Sequence, residues 1–292
     1  MSGAASAAPQ HGIEHHYDQD TGTMQFIVWC VATKAAAIVD SVLDFDIKAA
    51  KTSTTNADLL LRRVSELGLN VVLILETHCH ADHLTASQYL KEKLTKADGS
   101  SPPVAIGKHI VEVIRHWVPI FDNADDTPLD GRQFDKLWED DEEFNIGQLH
   151  VKVMYTPGHT PACVTYYFAQ QGFALCGDTV FNPALGNARC DFPGGSAATL
   201  LASARRLLAL PPQTVLFVGH DYPEGGSTAV PGVTVAEHRA NNCTLNERVT
   251  EQEFVAANSD KLPVPRLLLP SLQVNLRAGH LSRFIKLPLN LL

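Results

Sequence analysis

The chain has 292 residues, of which 45% are hydrophobic and 19% charged, a composition typical of a globular protein with a sizeable core. The formal net charge of −9 argues against a nucleic-acid partner, because neutralising phosphates requires clustered Lys and Arg. No apolar run approaches the ~20 residues that a membrane-spanning helix needs, so no membrane partner is expected.

The predicted elements alternate between strands and helices. Residues 1–12 are small and polar and are predicted to be disordered, whereas 13–292 are predicted to form one domain. Apolar residues at helical spacing predict a helix over 56–68, with Gly68 as its C′ residue. Further helices are predicted over 86–96, 108–117, 197–210, 235–242 and 251–258. Strands are predicted over 24–31, 36–39, 70–76, 104–106, 149–155, 164–169, 173–176 and 214–218. The proline-rich tail from 263 is predicted to be a mostly irregular C-terminal extension.

Potential metal ligands cluster just past the strand predicted over 70–76. Within six positions there stand His78, His80, Asp82 and His83. Burying three imidazoles and a carboxylate beside a strand carries a large desolvation cost, which a bound cation removes. Further along, each just after a predicted strand, come His159, Asp178 and His220. Imidazole and carboxylate suit Fe, Zn and similar ions, so the pattern predicts a metalloenzyme with its ligands on strand-end loops.

Taken together, these motifs resemble the metallo-β-lactamase superfamily over about residues 20–260. The signature is H-x-H-x-D-H at 78–83, followed in order by G-H at 158–159, G-D at 177–178 and G-H at 219–220. The resemblance implies the α/β fold of that superfamily, an αββα sandwich in which two sheets pack between helices.

Within the superfamily, the motifs are similar to those of persulfide dioxygenases, the group that includes the ethylmalonic encephalopathy protein. The similarity lies in T-H-C-H-A-D-H-L-T at 77–85, P-G-H-T-P-A-C-V-T at 157–165, R-x-D-F at 189–192 and H-D-Y at 220–222. It implies one Fe(II) per chain, held by His78, His159 and Asp178. Such a facial triad leaves neighbouring coordination positions open, as a reaction between a persulfide sulfur and O₂ requires. The segment between Asp178 and R-x-D-F is about two residues longer than in the human-type proteins, which weakens the transfer of loop contacts.

Four further residues keep a second interpretation open, namely His80, Asp82, His83 and His220. In dinuclear hydrolases of the superfamily, the matching residues complete a two-metal site bridged by the equivalent of Asp178. The alternatives are therefore a hydroxyacylglutathione hydrolase of the glyoxalase II type with two Zn ions, another hydrolase of this fold, or a non-catalytic binding module. Against glyoxalase II, H-D-Y replaces the H-E-Y of that family, and P-G-H replaces its S-G-H.

The dioxygenase resemblance implies glutathione persulfide and O₂ as substrates, with sulfite and glutathione as products. The four residues would then orient the ligands or move protons, with His83 and His220 as candidate proton carriers. Because Arg forks match carboxylates, Arg189 of R-x-D-F is the leading candidate for substrate binding. The other candidates are Tyr222, Arg239 and Arg277.

The expected setting of the protein is the cytoplasm. The first basic residue is Lys34, which argues against the charged start of a secretory signal and against an Arg-rich transit peptide. A homodimer and a sulfurtransferase that supplies the persulfide are hypotheses about partners, and the sequence decides neither.

Overall fold

The computed structural model describes residues 8, 10–223, 225, 227–282 and 284–286. The strands are β1 (His11–Asp18), β2 (Thr23–Cys30), β3 (Ala35–Val39), β4 (Val42–Asp46), β5 (Lys51–Ser53), β6 (Asn70–Leu75), β7 (Leu84–Thr85), β8 (Val104–Gly107), β9 (Lys136–Trp138), β10 (Glu143–Ile146), β11 (Leu149–Tyr155), β12 (Val164–Phe168), β13 (Phe173–Leu175), β14 (Val215–Phe217) and β15 (Gly232–Thr234). The helices are α1 (Thr55–Glu66), α2 (Ser87–Lys93), α3 (Ile110–Phe121), α4 (Ala197–Leu208), α5 (Val235–Asn241), α6 (Glu251–Ala257) and α7 (Leu268–Asn275).

Two six-stranded sheets form the centre of the molecule. Their strand orders are β1-β2-β3-β6-β8-β9 and β10-β11-β12-β13-β14-β15, and a small third sheet joins β5, β4 and β7. An apolar layer that includes Phe26 and Tyr166 lies between the two large sheets. Separate layers bury α1, α2, α3 and α7 against the first sheet and α4, α5 and α6 against the second. The predicted αββα sandwich is confirmed.

Parallel pairing brings the metal-ligand motifs to one edge of the sandwich. In the first sheet β3 runs parallel to β6, with Ile38 opposite Ile74. In the second sheet β13 runs parallel to β14, with Leu175 opposite Phe217. Because the carboxyl ends of parallel strands lie side by side, the loops after β3 and β6 emerge together, as do those after β13 and β14. The amide of Met24 donates to the carbonyl of Gly219 at 2.8 Å, which links the two sheets near this edge.

The helix predicted over 56–68 and the strand predicted over 70–76 correspond to α1 and β6. Gly68 has a φ of +62°, as a C′ residue requires. The irregular tail is wrong over Leu268–Asn275, which forms α7. Seven of the eight residues of α7 are buried, so its sequence lacks the one-sided apolar period of a surface helix. Pro270 lies in its first turn, where its missing N–H costs nothing.

The predicted disordered N-terminus extends too far along the chain. His11 and Gly12 belong to β1, which pairs with β2 over eight residues and thereby gains a full ladder of backbone hydrogen bonds. Residues 1–7 and 9 lie outside the described residues. The short strands β4, β5, β7, β9, β10 and β15 were not predicted. Across the described residues, no helix is long and apolar enough to cross a bilayer.

Candidate metal centre

Seven side chains converge at this edge and form what we call the metal-ligand cluster: His78, His80, Asp82, His83, His159, Asp178 and His220. Three of them meet at Asp178 Oδ2, which is 3.8 Å from Nε2 of His78 and 3.6 Å from Nε2 of His159. The donor atoms of these three residues lie within 4.8 Å of one another. The structure therefore brings together the triad predicted from the sequence.

Hydrogen bonds fix how the two imidazoles of the triad present their nitrogens. Nδ1 of His159 lies 2.6 Å from the carbonyl of Arg189, which can only accept, so Nδ1 carries the proton. Nδ1 of His78 lies 3.0 Å from Thr77 Oγ1, whose own proton goes to Asp40 Oδ2 at 2.8 Å. Each ring therefore keeps an unprotonated Nε2 towards Asp178, as a metal ligand must.

Buried polar atoms without a partner test whether a cation fits this site. Among the described residues, buried atoms without a hydrogen-bond partner include Nε2 of His78 and Oδ1 of Asp178. Nε2 of His83 and Nδ1 of His80 are also buried without a hydrogen-bond partner. Buried groups of this kind are normally satisfied, and so many orphans in one place are explained by a bound metal ion. Burial also lowers the pKa of His78 well below its ordinary value, which keeps the imidazole neutral for ligation.

The remaining members of the metal-ligand cluster lie on the other side of Asp178. Nε2 of His220 is 3.5 Å from both Asp178 Oδ1 and Asp82 Oδ2. His80, Asp82 and His83 form a second group whose donor atoms lie within 4.8 Å of one another. The two oxygens of Asp178 thus face different residues, and the donor set is large enough for one metal ion or for two.

Two carboxylates to which the sequence interpretation gave no role, those of Asp40 and Glu76, contact the ring of His80. Nε2 of His80 is 3.1 Å from Asp40 Oδ1 and 3.4 Å from Glu76 Oε2. Burial opposes the charged imidazole, but these carboxylates raise the pKa of His80 well above its ordinary value. At His83, burial and then the neighbouring His80 outweigh the raising effects of Asp82 and of the Leu84 carbonyl, and the pKa of His83 falls to about 4. The sequence did contain a signal for both carboxylates, since Asp40 directly follows β3 and Glu76 stands just before the H-x-H-x-D-H motif.

An open cavity of about 350 Å³ gives access to the metal-ligand cluster through Asp82, His159, Asp178 and His220. We call the rest of its lining the cavity wall, which consists of Ala81, Phe181, Asn187, Ala188, Arg189, Phe192, Tyr222, Leu262 and Pro265. His83 does not line this cavity, whereas His220 does, and the two residues are equally buried at 1% exposure. Of the two predicted proton carriers, only His220 can therefore meet a substrate in the cavity. A role of His83 in proton transfer stays a prediction.

Arg189 lies in the cavity wall as predicted, but its guanidinium is largely committed within the protein. Nε and Nη2 donate to the two carboxylate oxygens of Asp191, each at 2.7 Å. Nη1 donates to the carbonyl of Pro263 at 2.7 Å, and Nη2 also donates to that of Leu262 at 3.0 Å. Phe192 stacks on the guanidinium at 4.5 Å. One of the five N–H donors remains for a substrate, so a bidentate grip on a carboxylate would first have to open the pair with Asp191.

The other predicted substrate contacts divide clearly. Tyr222 lines the cavity, is 51% exposed and stacks on His220 with an interplanar angle of 3°. Arg239 and Arg277 do not line it. Nε of Arg239 donates to the carbonyl of Leu208 at 2.6 Å, at the end of α4. Arg277 is 5% exposed and donates to Asp126 at 2.6 Å. The structure therefore places neither side chain in this cavity, and binding of substrate by Arg239 or Arg277 stays a prediction.

Several known proteins are similar in sequence to this chain over most of their length. A probable metallo-hydrolase of Burkholderia pseudomallei is 41% identical, with 95% of this chain and 99% of that protein covered. Glyoxylase B2 of Dictyostelium discoideum is 43% identical, with 96% and 97% covered. The mitochondrial persulfide dioxygenase ETHE1 of Homo sapiens is 30% identical, with 88% and 84% covered.

A solved structure gives the same result for the fold. The crystal structure of ETHE1 from Myxococcus xanthus superimposes with a TM-score of 0.71 at 26% identity, covering 92% of this chain and 100% of that one. The family model described as the metallo-beta-lactamase superfamily matches residues 20–220, a span that holds the whole metal-ligand cluster. Since sequence, fold and donor set agree, the chain belongs to the metallo-β-lactamase superfamily and is one of its enzymes.

Proposed function

We propose that the protein is an iron-dependent persulfide dioxygenase that converts glutathione persulfide, O₂ and water into glutathione and sulfite. One observation carries this proposal: His78, His159 and Asp178 close into a triad by themselves, and the last two open onto the cavity. Two imidazoles and one carboxylate with open positions are typical of non-haem Fe(II) oxygenases. The relatives named persulfide dioxygenase add support.

His78, His159 and Asp178 would hold the Fe(II), and the metal would supply the redox chemistry that a reaction between a persulfide and O₂ needs. The chain contributes fixed ligand orientation. Arg189 holds His159 through its carbonyl, and Thr77 holds His78 through its hydroxyl. Both imidazoles are at least nine-tenths buried, so their rings are positioned before any substrate arrives.

His220 is the group best placed to handle the persulfide proton. It lines the cavity, and its Nε2 is 3.5 Å from Asp82 Oδ2. Burial opposes the charged form of Asp82, but His220 and His83 lower its pKa to about 2, so it is a carboxylate at neutral pH. That charge stabilises His220 once it has taken a proton from the –SH group.

The cavity wall offers both apolar and polar contacts, as the binding of a thiol peptide requires. Phe181, Phe192, Leu262 and Pro265 supply an apolar surface that limits water near the sulfur. The half-exposed Tyr222 supplies a hydroxyl at the mouth of the cavity, where a peptide carboxylate or amide can bond to it. Asn187 adds an amide to the same lining.

The test begins with anaerobically purified protein. Iron and zinc per chain are measured first, followed by oxygen uptake and sulfite formation on adding glutathione persulfide. We expect close to one iron, with both oxygen uptake and sulfite formation. For His→Ala variants of the metal-ligand cluster, His238→Ala is the matched control, because His238 is a buried imidazole on α5 outside that cluster. Iron-loaded protein that neither consumes oxygen nor forms sulfite would contradict the proposal.

A second candidate, a dinuclear hydrolase that cleaves glutathione thioesters, also has an observation in its favour. Asp178 directs Oδ2 towards His78 and His159 and Oδ1 towards His220, as a carboxylate between two metal ions would. The similarity to a protein named glyoxylase B2 points the same way. Close to two zinc ions per chain, thioester hydrolysis and no oxygen uptake would establish this alternative.

The proposal carries expectations about the setting of the enzyme. Its partners would be two small molecules, glutathione persulfide and O₂, with a sulfurtransferase as the source of the persulfide. A homodimer and a cytoplasmic location stay predictions. Size-exclusion chromatography with light scattering tests the first, and cell fractionation tests the second.

A further inference from the structure

The C-terminal helix α7 reaches into the metal centre through one side chain. The amide Nδ2 of Asn275 donates to the carbonyls of His80 and His83, each at 2.8 Å. Its Oδ1 accepts the backbone N–H of Thr85 at 2.9 Å. Asn275 is 4% exposed, so these three bonds lie out of water. One side chain nearly 200 positions away therefore satisfies two carbonyls of the loop that carries four of the seven members of the metal-ligand cluster, and one N–H of the strand β7 that follows it.

The loop at 78–83 depends on such a partner because it is irregular. It connects β6 to the two-residue strand β7, and its carbonyls at 80 and 83 have no strand or helix to pair with. A buried backbone carbonyl left unpaired costs on the order of 1–3 kcal/mol. The side-chain amide of Asn offers two donors and one acceptor in a fixed plane, which matches two carbonyls and one N–H.

The helix that carries Asn275 is itself held firmly. Leu268, Leu272 and Val274 pack in the same apolar layer as Cys79 and Leu84. Beyond the helix, Arg277 donates to Asp126 at 2.6 Å, and Gln133 Nε2 donates to the carbonyl of Leu276 at 2.6 Å.

The turn after α7 fits closely against the strand that follows the loop. Gly279 has a φ of +92°, and a Cβ there would lie 3.2 Å from Thr85 Cγ2. Arg277, expected from the sequence to bind substrate, helps to fix the segment that bears Asn275 through its bond to Asp126.

We propose that Asn275 is a positioning residue of the metal centre: it locks the backbone at His80 and His83, so that the C-terminal segment forms part of the metal site. The proposal holds for one iron or for two zinc ions, because both need this loop in place. It therefore stands or falls separately from the dioxygenase activity.

Gln273 provides a matched control on the same helix. It is 1% exposed, and its side chain bonds to the carbonyls of Leu269 and Lys286 and to the N–H of Lys286, none of them in the metal loop. Asn275→Ala and Gln273→Ala each remove one buried amide from α7. A loss that follows only from weaker docking of α7 would appear in both variants.

The experiment titrates apoprotein of each variant with Co(II), followed by its visible spectrum, and records hydrogen exchange of the loop at 80–85. We expect Asn275→Ala to bind Co(II) at least ~10-fold more weakly than the wild type, as is typical when an outer-shell partner is lost. Exchange at Thr85 should accelerate in that variant. Gln273→Ala should stay within ~2-fold of the wild type in affinity. Equal effects in the two variants, or none in either, would overturn the proposal.

Should Asn275→Ala fail to fold, the wild-type protein still gives a test. The acceptor of the Thr85 N–H is the side chain of Asn275, so this amide can exchange only when α7 releases the loop. Its opening free energy should equal that of the amide of Leu276, which bonds to the carbonyl of Leu272 within α7. Exchange of Thr85 well ahead of Leu276 would refute the positioning role.

Discussion

The metal-ligand cluster and the cavity wall lie side by side, yet they are built in different ways. The side chain of Asp82 is 28% exposed, and the other side chains of the cluster are more deeply buried. The imidazoles of His78, His80 and His159 are held by hydrogen bonds from strand-end loops. The wall is partly open to solvent, with Tyr222 at 51% and Leu262 at 52% exposure. Its segment at 262–265 is irregular and is tied to the rest mainly by Arg189 and Asp191.

This difference separates two kinds of function. The cluster has rigid geometry, which fixes what chemistry the enzyme performs, whereas the wall can change contacts at low cost and so fixes what it binds. Relatives with one donor set can thus differ in substrate. Changes in the cluster should lower kcat, and changes in the wall should shift KM.

The largest effect is expected from His159→Ala. The variant loses a ligand of the triad, so iron should fall to near zero and sulfite formation should drop at least ~1000-fold.

His220→Ala is the informative comparison within the cluster. With one iron per chain it should retain the metal and lose about 100-fold in rate, as expected for a proton-transfer group. Metal analysis and oxygen uptake on both variants make the measurement. Equal metal loss in the two would place His220 among the ligands.

The convergence of the metal-ligand cluster could be predicted because short motifs carry its members, while the role of each member stays a prediction. Four ligands stand within six residues of one strand end, and parallel pairing then determines where that strand end lies. The wall follows from contacts between distant segments, such as Arg189 with Leu262, which no short motif encodes. The same reason hid Asn275, since its partners are nearly 200 residues away and α7 is too buried to show a helical period.

A smaller effect is expected from Asp191→Ala in the wall. Its carboxylate holds Arg189 twice at 2.7 Å and accepts the N–H of Leu262 at 2.9 Å. Without it, the segment at 262–265 should loosen, and KM for glutathione persulfide should rise about tenfold while kcat changes little. Steady-state kinetics across substrate concentrations make the measurement.

Asp135→Ala controls for the loss of a paired carboxylate. Asp135 also binds a cation, Lys91, and accepts a backbone N–H, that of Val104 at 2.7 Å, but it does not line the cavity. Its variant should keep the wild-type KM. A fall in kcat for Asp191→Ala with unchanged KM would mean that the wall acts on the metal centre through the carbonyl of Arg189, which binds His159.

Tyr222→Phe should produce a still smaller shift. It removes only the hydroxyl at the cavity mouth and preserves the stacking on His220. One hydrogen bond to substrate is worth about 1 kcal/mol, so KM should rise about fivefold with kcat unchanged. Tyr89→Phe, which removes a hydroxyl bonded to Asp58 on α1, is the control. An unchanged KM would exclude the Tyr222 hydroxyl from substrate recognition.

Arg239→Ala should leave catalysis unaltered and thereby mark the boundary of the wall. Its guanidinium donates to the carbonyl of Leu208 at 2.6 Å, where it satisfies the end of α4, so its loss should lower stability by about 1 kcal/mol. KM and kcat should stay within about twofold of the wild type, while the urea midpoint falls. A KM that rises fivefold or more would restore the role in substrate binding that the sequence suggested. The cavity would then have to extend past its present lining towards α5, and the wall would be larger than this structure shows.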